Sequence, residues 1–208
     1  MRMPEGGVTA MKAGSGHLRI LATADLHGRL LSFDYAEDRA RPGPSLAALA
    51  PVLARLRRTA GASLLLDAGD LLQGTALADE AARPDAPAPH PMIAAMNALG
   101  VDAATLGNHD FDHGLPALGR ALAGARFPVV VSNLSGAAPA GPLAGLKRGV
   151  ILRRMLDDGG GGRVALEIGI LGLLTPRTAE WNHDILGAGI RLADLPDAAA
   201  AGAAALRR

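Results

Sequence analysis

The sequence predicts an α/β domain with at least partly parallel strand pairing. Short apolar runs alternate with stretches of helical periodicity, the pattern of repeated strand–helix units. Directly after three of those runs come residues with ligand chemistry: Asp25-x-His27, Gly69-Asp70 and Gly107-Asn108-His109-Asp110. In layered α/β folds the ends of the strands are where ligands bind.

The elements follow in order. Residues 1–16 are Gly-rich and read as a disordered lead-in to a domain over 17–208. Leu18 to Thr23 is apolar and predicts a buried strand. Leu46, Leu49, Leu53 and Leu56 recur at helical spacing with arginines between them, an amphipathic helix. Ser63 to Ala68 predicts a second strand. Residues 79–91, rich in Ala, Pro and Asp, read as a surface loop. Pro91 suits the first position of a helix through about Leu99. Ala103 to Leu106 predicts a third strand, Leu115 to Leu122 a helix, and Phe127 to Val131 a fourth strand. Residues 135–149 read as a Gly/Ala/Pro loop. Val150 to Met155 and Val164 to Leu174 flank a run of four glycines, a hairpin signal. An Ala-rich helix is expected from Asp194, with Pro196 just inside it.

Composition narrows the function. The 208 residues are 49% hydrophobic and 20% charged, enough apolar residue for a core and unlike a disordered chain. Only 2% are aromatic, so the core is aliphatic and Ala-rich. A net charge of +1 gives no sign of a nucleic-acid polymer or an anionic membrane as partner, and neither is expected. Cysteine is absent, which excludes thiolate catalysis, disulfides and Cys-ligated zinc or iron–sulfur centres. No apolar run is long enough to span a bilayer, and the N-terminus lacks the apolar stretch of a signal peptide. As read, either the chain is cytoplasmic or a targeting segment lies outside this sequence, so the compartment stays open. The sequence does not specify an oligomeric state.

The three strand-end groups carry the chemistry. Carboxylates, imidazoles and an amide oxygen suit Mn, Fe, Zn, Mg or Co. A carboxylate can bridge two such ions about 3.5–4 Å apart. Asp70, from a strand end between the other two groups, is the natural bridge. Asp25 and His27 are two apart, which in an extended segment places both on one face to grip one ion. His109 and Asp112 are three apart and can meet within one turn, so the carboxylate would orient the imidazole. His109 is then a candidate general acid. Gly28, Gly69, Gly74 and Gly107 permit the turns that gather these groups.

Asp-x-His-Gly (Asp25 to Gly28), Gly-Asp-x-x-Gln-Gly (Gly69 to Gly74) and Gly-Asn-His-Asp-Phe-Asp (Gly107 to Asp112), in that order, resemble the calcineurin-like metallophosphoesterase superfamily. The Gln-Gly and Phe-Asp extensions resemble its 5′-nucleotidase branch. His90-Pro91 with Ala95-Met96-Asn97, and Gly172 to Pro176 leading to Trp181, are similar to the bacterial 2′,3′-cyclic-nucleotide 2′-phosphodiesterase/3′-nucleotidase enzymes. The resemblance implies a layered sandwich of two mixed β-sheets flanked by helices. It implies two divalent metal ions, with Asp25 and His27 on the first, Asp70 bridging and Asn108 on the second. It implies His109 and Asp112 as catalytic pair and a nucleotide or cyclic nucleotide as substrate, with 5′-nucleotidase or nucleotide-sugar hydrolysis as the neighbouring activities. The family takes further metal-binding histidines from later segments, including a Gly-His motif. After His109 this sequence has only His113 and His183, neither in such a motif. The expectation is therefore a domain truncated at the C-terminus, lacking the family's C-terminal nucleotide-binding domain, weak or inactive alone, with a core face exposed. A non-catalytic or degenerate binding module is the alternative.

Other polar residues have plainer readings. Asp67 is expected to serve structure or to orient the ligands. Asp110 reads as a solvated or loop-stabilising carboxylate. His90, His113 and His183 read as loop residues, and Asn133 as a turn residue or one facing the site. Trp181 suits core packing or stacking on a base. The glycines at 159–162 precede a strand, not a helix, so a hairpin turn is expected there and not a phosphate cradle.

Overall fold

The computed structural model describes residues 16–136 and 141–208. All of the lead-in except Gly16, and residues 137–140 of the expected 135–149 loop, lie outside the described residues. The chain runs β1 (Arg19–Thr23), β2 (Phe33–Asp34), β3 (Arg39–Ala40), α1 (Leu46–Arg58), β4 (Ser63–Asp67), α2 (Ala76–Ala81), α3 (Pro91–Leu99) and β5 (Ala103–Ala104). A 3-10 turn (His109–Phe111) leads into α4 (Gly114–Ala123). Then follow β6 (Leu134–Gly136), β7 (Val150–Asp157), β8 (Arg163–Ile170), α5 (Arg177–Trp181), α6 (His183–Leu186), β9 (Ile190–Leu192) and α7 (Leu195–Leu206).

β1, β4 and β5 pair in parallel, in that order, with Leu21 opposite Leu65 and Leu66 opposite Ala103. The three strands therefore end at one edge, which is what brings the three ligand-bearing loops together. The antiparallel pairs β2–β3, β6–β9 and β7–β8 are separate from this sheet among the described residues.

The fourth parallel strand expected at 127–131 does not form as a ladder. It reduces to two isolated bridges, Ala104 with Val129 and Val130 with Lys147. Pro128 has no N–H to extend a ladder, yet its carbonyl still accepts from Ala104 N at 3.0 Å. The surface loop expected from residue 79 begins later. Thr75 caps α2 by accepting from Ala78 N at 3.2 Å, and α2 continues to Ala81 with Ala78 buried.

The glycine run is a hairpin loop, as its flanking strands suggest. Asp158 Oδ1 accepts from Gly160 N at 2.8 Å and Gly162 N at 2.9 Å, closing the turn between β7 and β8. That hairpin presents Ile151, Met155, Val164 and Leu166 to solvent. No helix among the described residues is long and apolar enough to cross a membrane.

The core is aliphatic. Leu46 and Leu53 of α1, Met92, Ile93 and Met96 of α3, and Leu118 of α4 pack with Leu65, Phe111 and Val131. Ser45 caps α1 and Arg57 ties its last turn to the carbonyl of Gly100, at 2.6 Å, beyond the end of α3. α3 starts at Pro91 and is capped by His90, whose Nδ1 accepts from Met92 N at 3.2 Å. His90 is thus a buried capping residue and not the surface residue its Pro/Ala-rich neighbours suggested.

Burial and neighbouring His113 lower the His90 pKa from 6.5 to about 4. The unfolded chain takes up this proton below pH 6.5 and the folded one only near pH 4, so folding stability falls across that window as pH drops. His90→Asn retains a capping acceptor but not the titration. Urea titrations should show the variant losing roughly 3 kcal/mol less than wild type between pH 6.5 and 4. Parallel curves would show that His90 is not held neutral by the fold.

Candidate metal centre

The loops after β1 and β4 run beside one another past the end of the sheet. Asp25 N donates to Gly69 O at 3.0 Å, His27 N to Asp70 O at 2.9 Å and Gly28 N to Leu71 O at 2.9 Å. The segment from Asp25 to His27 is not extended, as the i, i+2 argument assumed. Asp25, His27 and Asp70 have φ of 55°, 45° and 55°, the left-handed region that costs a side-chain-bearing residue about 1–2 kcal/mol. These tight turns swing the side chains back over the strand ends while Leu26, between them, is buried in the core. Strain of this kind persists where the surroundings over-determine it, and it clusters at ligand sites.

The result is a cluster. One ligand atom each from Asp25, His27 and Asp70 lies within 4.8 Å of the others. His27 Nε2 is 4.0 Å from Asp25 Oδ1. Asp70 Oδ1 accepts from the backbone N of His109 at 2.8 Å, tying the cluster to the third loop. Gly69 and Gly107 touch where these loops cross; a Cβ on either would collide with the other loop, with the backbone at Leu106–Gly107 or with the Asp70 carboxylate. The remaining Asp70 oxygen, the Asp25 carboxylate and the His27 ring have no hydrogen-bond partner among the described residues. Uncommitted oxygen and nitrogen donors at such spacing fit a divalent cation.

Asn108 and His109 sit on the third loop. His109 Nδ1 is 2.8 Å from Asp112 Oδ2 across the 3-10 turn, and its ring meets that of His27 edge-on, with centroids 5.4 Å apart. The hydrogen bond that His109 donates to the Asp112 carboxylate raises the His109 pKa above its ordinary value. Asn108 lies beside this pair, and its carbonyl accepts from Asn182 Nδ2 at 3.2 Å. The structure thus brings Asp25, His27, Asp70 and the His109–Asp112 pair to one edge, with Asn108 on the same loop.

Of the two expectations for Asp110, the loop-stabilising one holds: it is buried and not solvated. Its Oδ2 accepts from Gly107 N (2.8 Å) and Asp70 N (2.9 Å), and its Oδ1 from Leu71 N (2.8 Å) and Leu72 N (2.9 Å). Burial raises its pKa while these donors pull the other way. Asn182, buried between α5 and α6, gave no sequence signal beyond standing after Trp181. Asp67 joins β1 to β4 by accepting from Thr23 Oγ1 at 2.6 Å and Gly69 N at 3.1 Å, and burial raises its pKa to about 6. Asn133 serves structure, bonding Leu174 and Ala193. Trp181 and His183 are exposed, so Trp181 does not pack in the core. A cavity of about 630 Å³ between α4 and Pro142–Lys147 includes none of the cluster.

Oxygen and nitrogen donors converging at the ends of parallel strands make a candidate divalent-metal site in an α/β domain. The chain belongs to the calcineurin-like phosphoesterase family, which it matches over residues 18–184. It is 33% identical over 190 residues to the 2′,3′-cyclic-nucleotide 2′-phosphodiesterase/3′-nucleotidase of Yersinia enterocolitica, covering 90% of this chain and 29% of that protein. To human 5′-nucleotidase it is 37% identical over 152 residues, covering 71% and 25%. The crystal structure of the calcineurin-like phosphoesterase YfkN from Bacillus subtilis superposes with a TM-score of 0.82 at 31% identity, over 92% of this chain and 58% of that one. The chain therefore spans less than a third of the curated relatives it matches. Family membership implies divalent metal ions, for which the Asp25–His27–Asp70 cluster is the candidate site.

Two substitutions test this construction. Asp110→Ala leaves four backbone donors without their acceptor and should cost at least about 3 kcal/mol of unfolding free energy. A loss below about 0.5 kcal/mol, the scale of an ordinary surface change, would show that Asp110 does not brace the loops. Asn182→Leu should raise amide hydrogen exchange at Phe111 and Asp112 about fivefold, for one lost hydrogen bond of ~1 kcal/mol. Unchanged protection would show that the bond to Asn108 does not hold the loop.

Proposed function

We propose that this chain supplies the metal-holding and acid-catalytic residues of a two-metal phosphoester hydrolase acting on nucleotides, of the 2′,3′-cyclic-nucleotide 2′-phosphodiesterase/3′-nucleotidase type. The carrying observation is the cluster itself: three donors held in left-handed conformations, within 4.8 Å of one another, beside a carboxylate-held imidazole. The relatives bearing that name align over about nine-tenths of the chain. Human 5′-nucleotidase aligns over 71%, which favours the cyclic-nucleotide reading over 5′-nucleotide hydrolysis.

In this reading Asp25 and His27 would hold one ion, Asp70 would be shared, and Asn108 would add a neutral oxygen donor for the second. Such ions polarise a phosphate ester and lower the pKa of water. The chain's own residues do the rest. Asp112 accepts the Nδ1 proton of His109, which fixes the ring and leaves Nε2 to carry the mobile proton. The bond to Asp112 favours the protonated ring, as a general acid requires. His109 donates from Nε2 to the leaving ribose oxygen. The bond from His109 N to Asp70 Oδ1 couples the acid to the shared carboxylate.

The test is hydrolysis of 2′,3′-cyclic AMP with added Mn²⁺ by the full-length gene product that carries these residues. Asp70→Asn should abolish turnover and deplete bound metal. His109→Ala should lower kcat by about 10²–10⁴-fold with metal content kept. Full activity in Asp70→Asn would contradict the metal assignment, and unchanged kcat in His109→Ala would contradict the acid. Metal binding without turnover of any nucleotide would favour a binding module.

A further inference from the structure

Away from the strand-end cluster, two imidazoles meet at one small cavity. It measures about 10 Å³ and is lined by His90, Asp110, His113, Leu72, Ala117 and Ala121 among others. The Nε2 atoms of His90 and His113 are both buried and have no hydrogen-bond partner among the described residues. His90 as a whole is 7% exposed.

The chemistry of His90 says what it needs. Its Nδ1 accepts from the backbone N of Met92 and so carries a lone pair. A neutral imidazole with an unprotonated Nδ1 has its proton on Nε2. Burial keeps the ring neutral at ordinary pH. The atom facing the cavity is then an N–H donor. It cannot ligate a metal ion, and a cation would be repelled by it.

Among the described residues, nothing accepts that proton. Both oxygens of Asp110 are committed to four backbone N–H groups. His113 Nε2 lies 3.6 Å from Asp79 Oδ1, beyond hydrogen-bonding distance.

We propose that this cavity is a binding site for one ordered water molecule, which accepts from His90 Nε2–H and bonds to His113 Nε2. The size suits one water, which needs roughly 10–15 Å³ of such space and at least two polar partners. The bridge would join the cap of α3 to the residue that directly follows Asp112. It therefore braces the start of α4, and with it the His109–Asp112 turn.

The experiment is NMR on the ¹⁵N-labelled chain at neutral pH. Long-range ¹H–¹⁵N correlations read the His90 tautomer, and water-to-ring cross-relaxation reads a resident water. The proposal expects a protonated Nε2, an unprotonated Nδ1 and a water contact at the His90 ring that is lost in His113→Phe. Should that variant fail to fold, the wild-type spectrum decides alone. A proton on Nδ1, or no water contact at the wild-type ring, overturns the proposal. So does a shift of the His90 and His113 nitrogens together on titration with Zn²⁺, which would make the cavity a metal site. A water contact that persists unchanged in His113→Phe would remove His113 from the bridge and overturn it as stated.

Discussion

The Asp110 carboxylate is the contact on which the site depends. It is buried, and it accepts backbone N–H groups from Asp70, Leu71 and Leu72 of one strand-end loop and from Gly107 of another. Charge-assisted bonds of this kind are about twice as strong as neutral ones. They also satisfy donors that could not otherwise be buried without cost. With these loops locked, Gly69 and Gly107 can cross in contact and Asp70 can take the amide of His109. The left-handed turns at Asp25, His27 and Asp70 are held by the same frame.

Electrostatics makes the edge receptive to cations. Asp25, Asp67, Asp70 and Asp110 converge on the ends of β1 and β4. Burial raises the pKa of Asp67 to about 6, and the charges of Asp110 and Asp25 add to that rise. Carboxylates crowded in this way favour anything that adds positive charge, whether a proton or a divalent ion. The uncommitted atoms of Asp25, His27 and Asp70 face that need together. His109 is set apart chemically because its ring nitrogen is already bonded to Asp112.

Much of this was readable from residue order. Strand-forming runs ending in Asp, His and Asn placed every proposed ligand at one edge, because parallel strands share the direction in which they end. Helix α1 and the β7–β8 hairpin followed from periodicity and from Asp158 with its glycines. What could not be read was burial and backbone conformation. Asp110 sits in the same motif as Asn108 and His109, and nothing in its identity says that it turns inward. His90 sits among Pro and Ala residues that read as surface, yet it caps a core helix. Asp25 and His27 converge through left-handed turns and not through an extended segment. The strand expected at 127–131 shrank to single bridges, because an apolar β-branched run does not reveal which neighbour it pairs with. The bond from Asn182 to Asn108 spans 74 positions, a separation at which local pattern carries no information.

The account rests on the claim that Asp25, His27 and Asp70 hold a metal ion together. Crystals of the protein grown with Mn²⁺, with diffraction recorded at the manganese absorption edge, test it most directly. An anomalous peak is expected within coordinating distance of Asp25, His27 and Asp70. A peak elsewhere on the molecule, with these three side chains left in contact only with solvent, would contradict it.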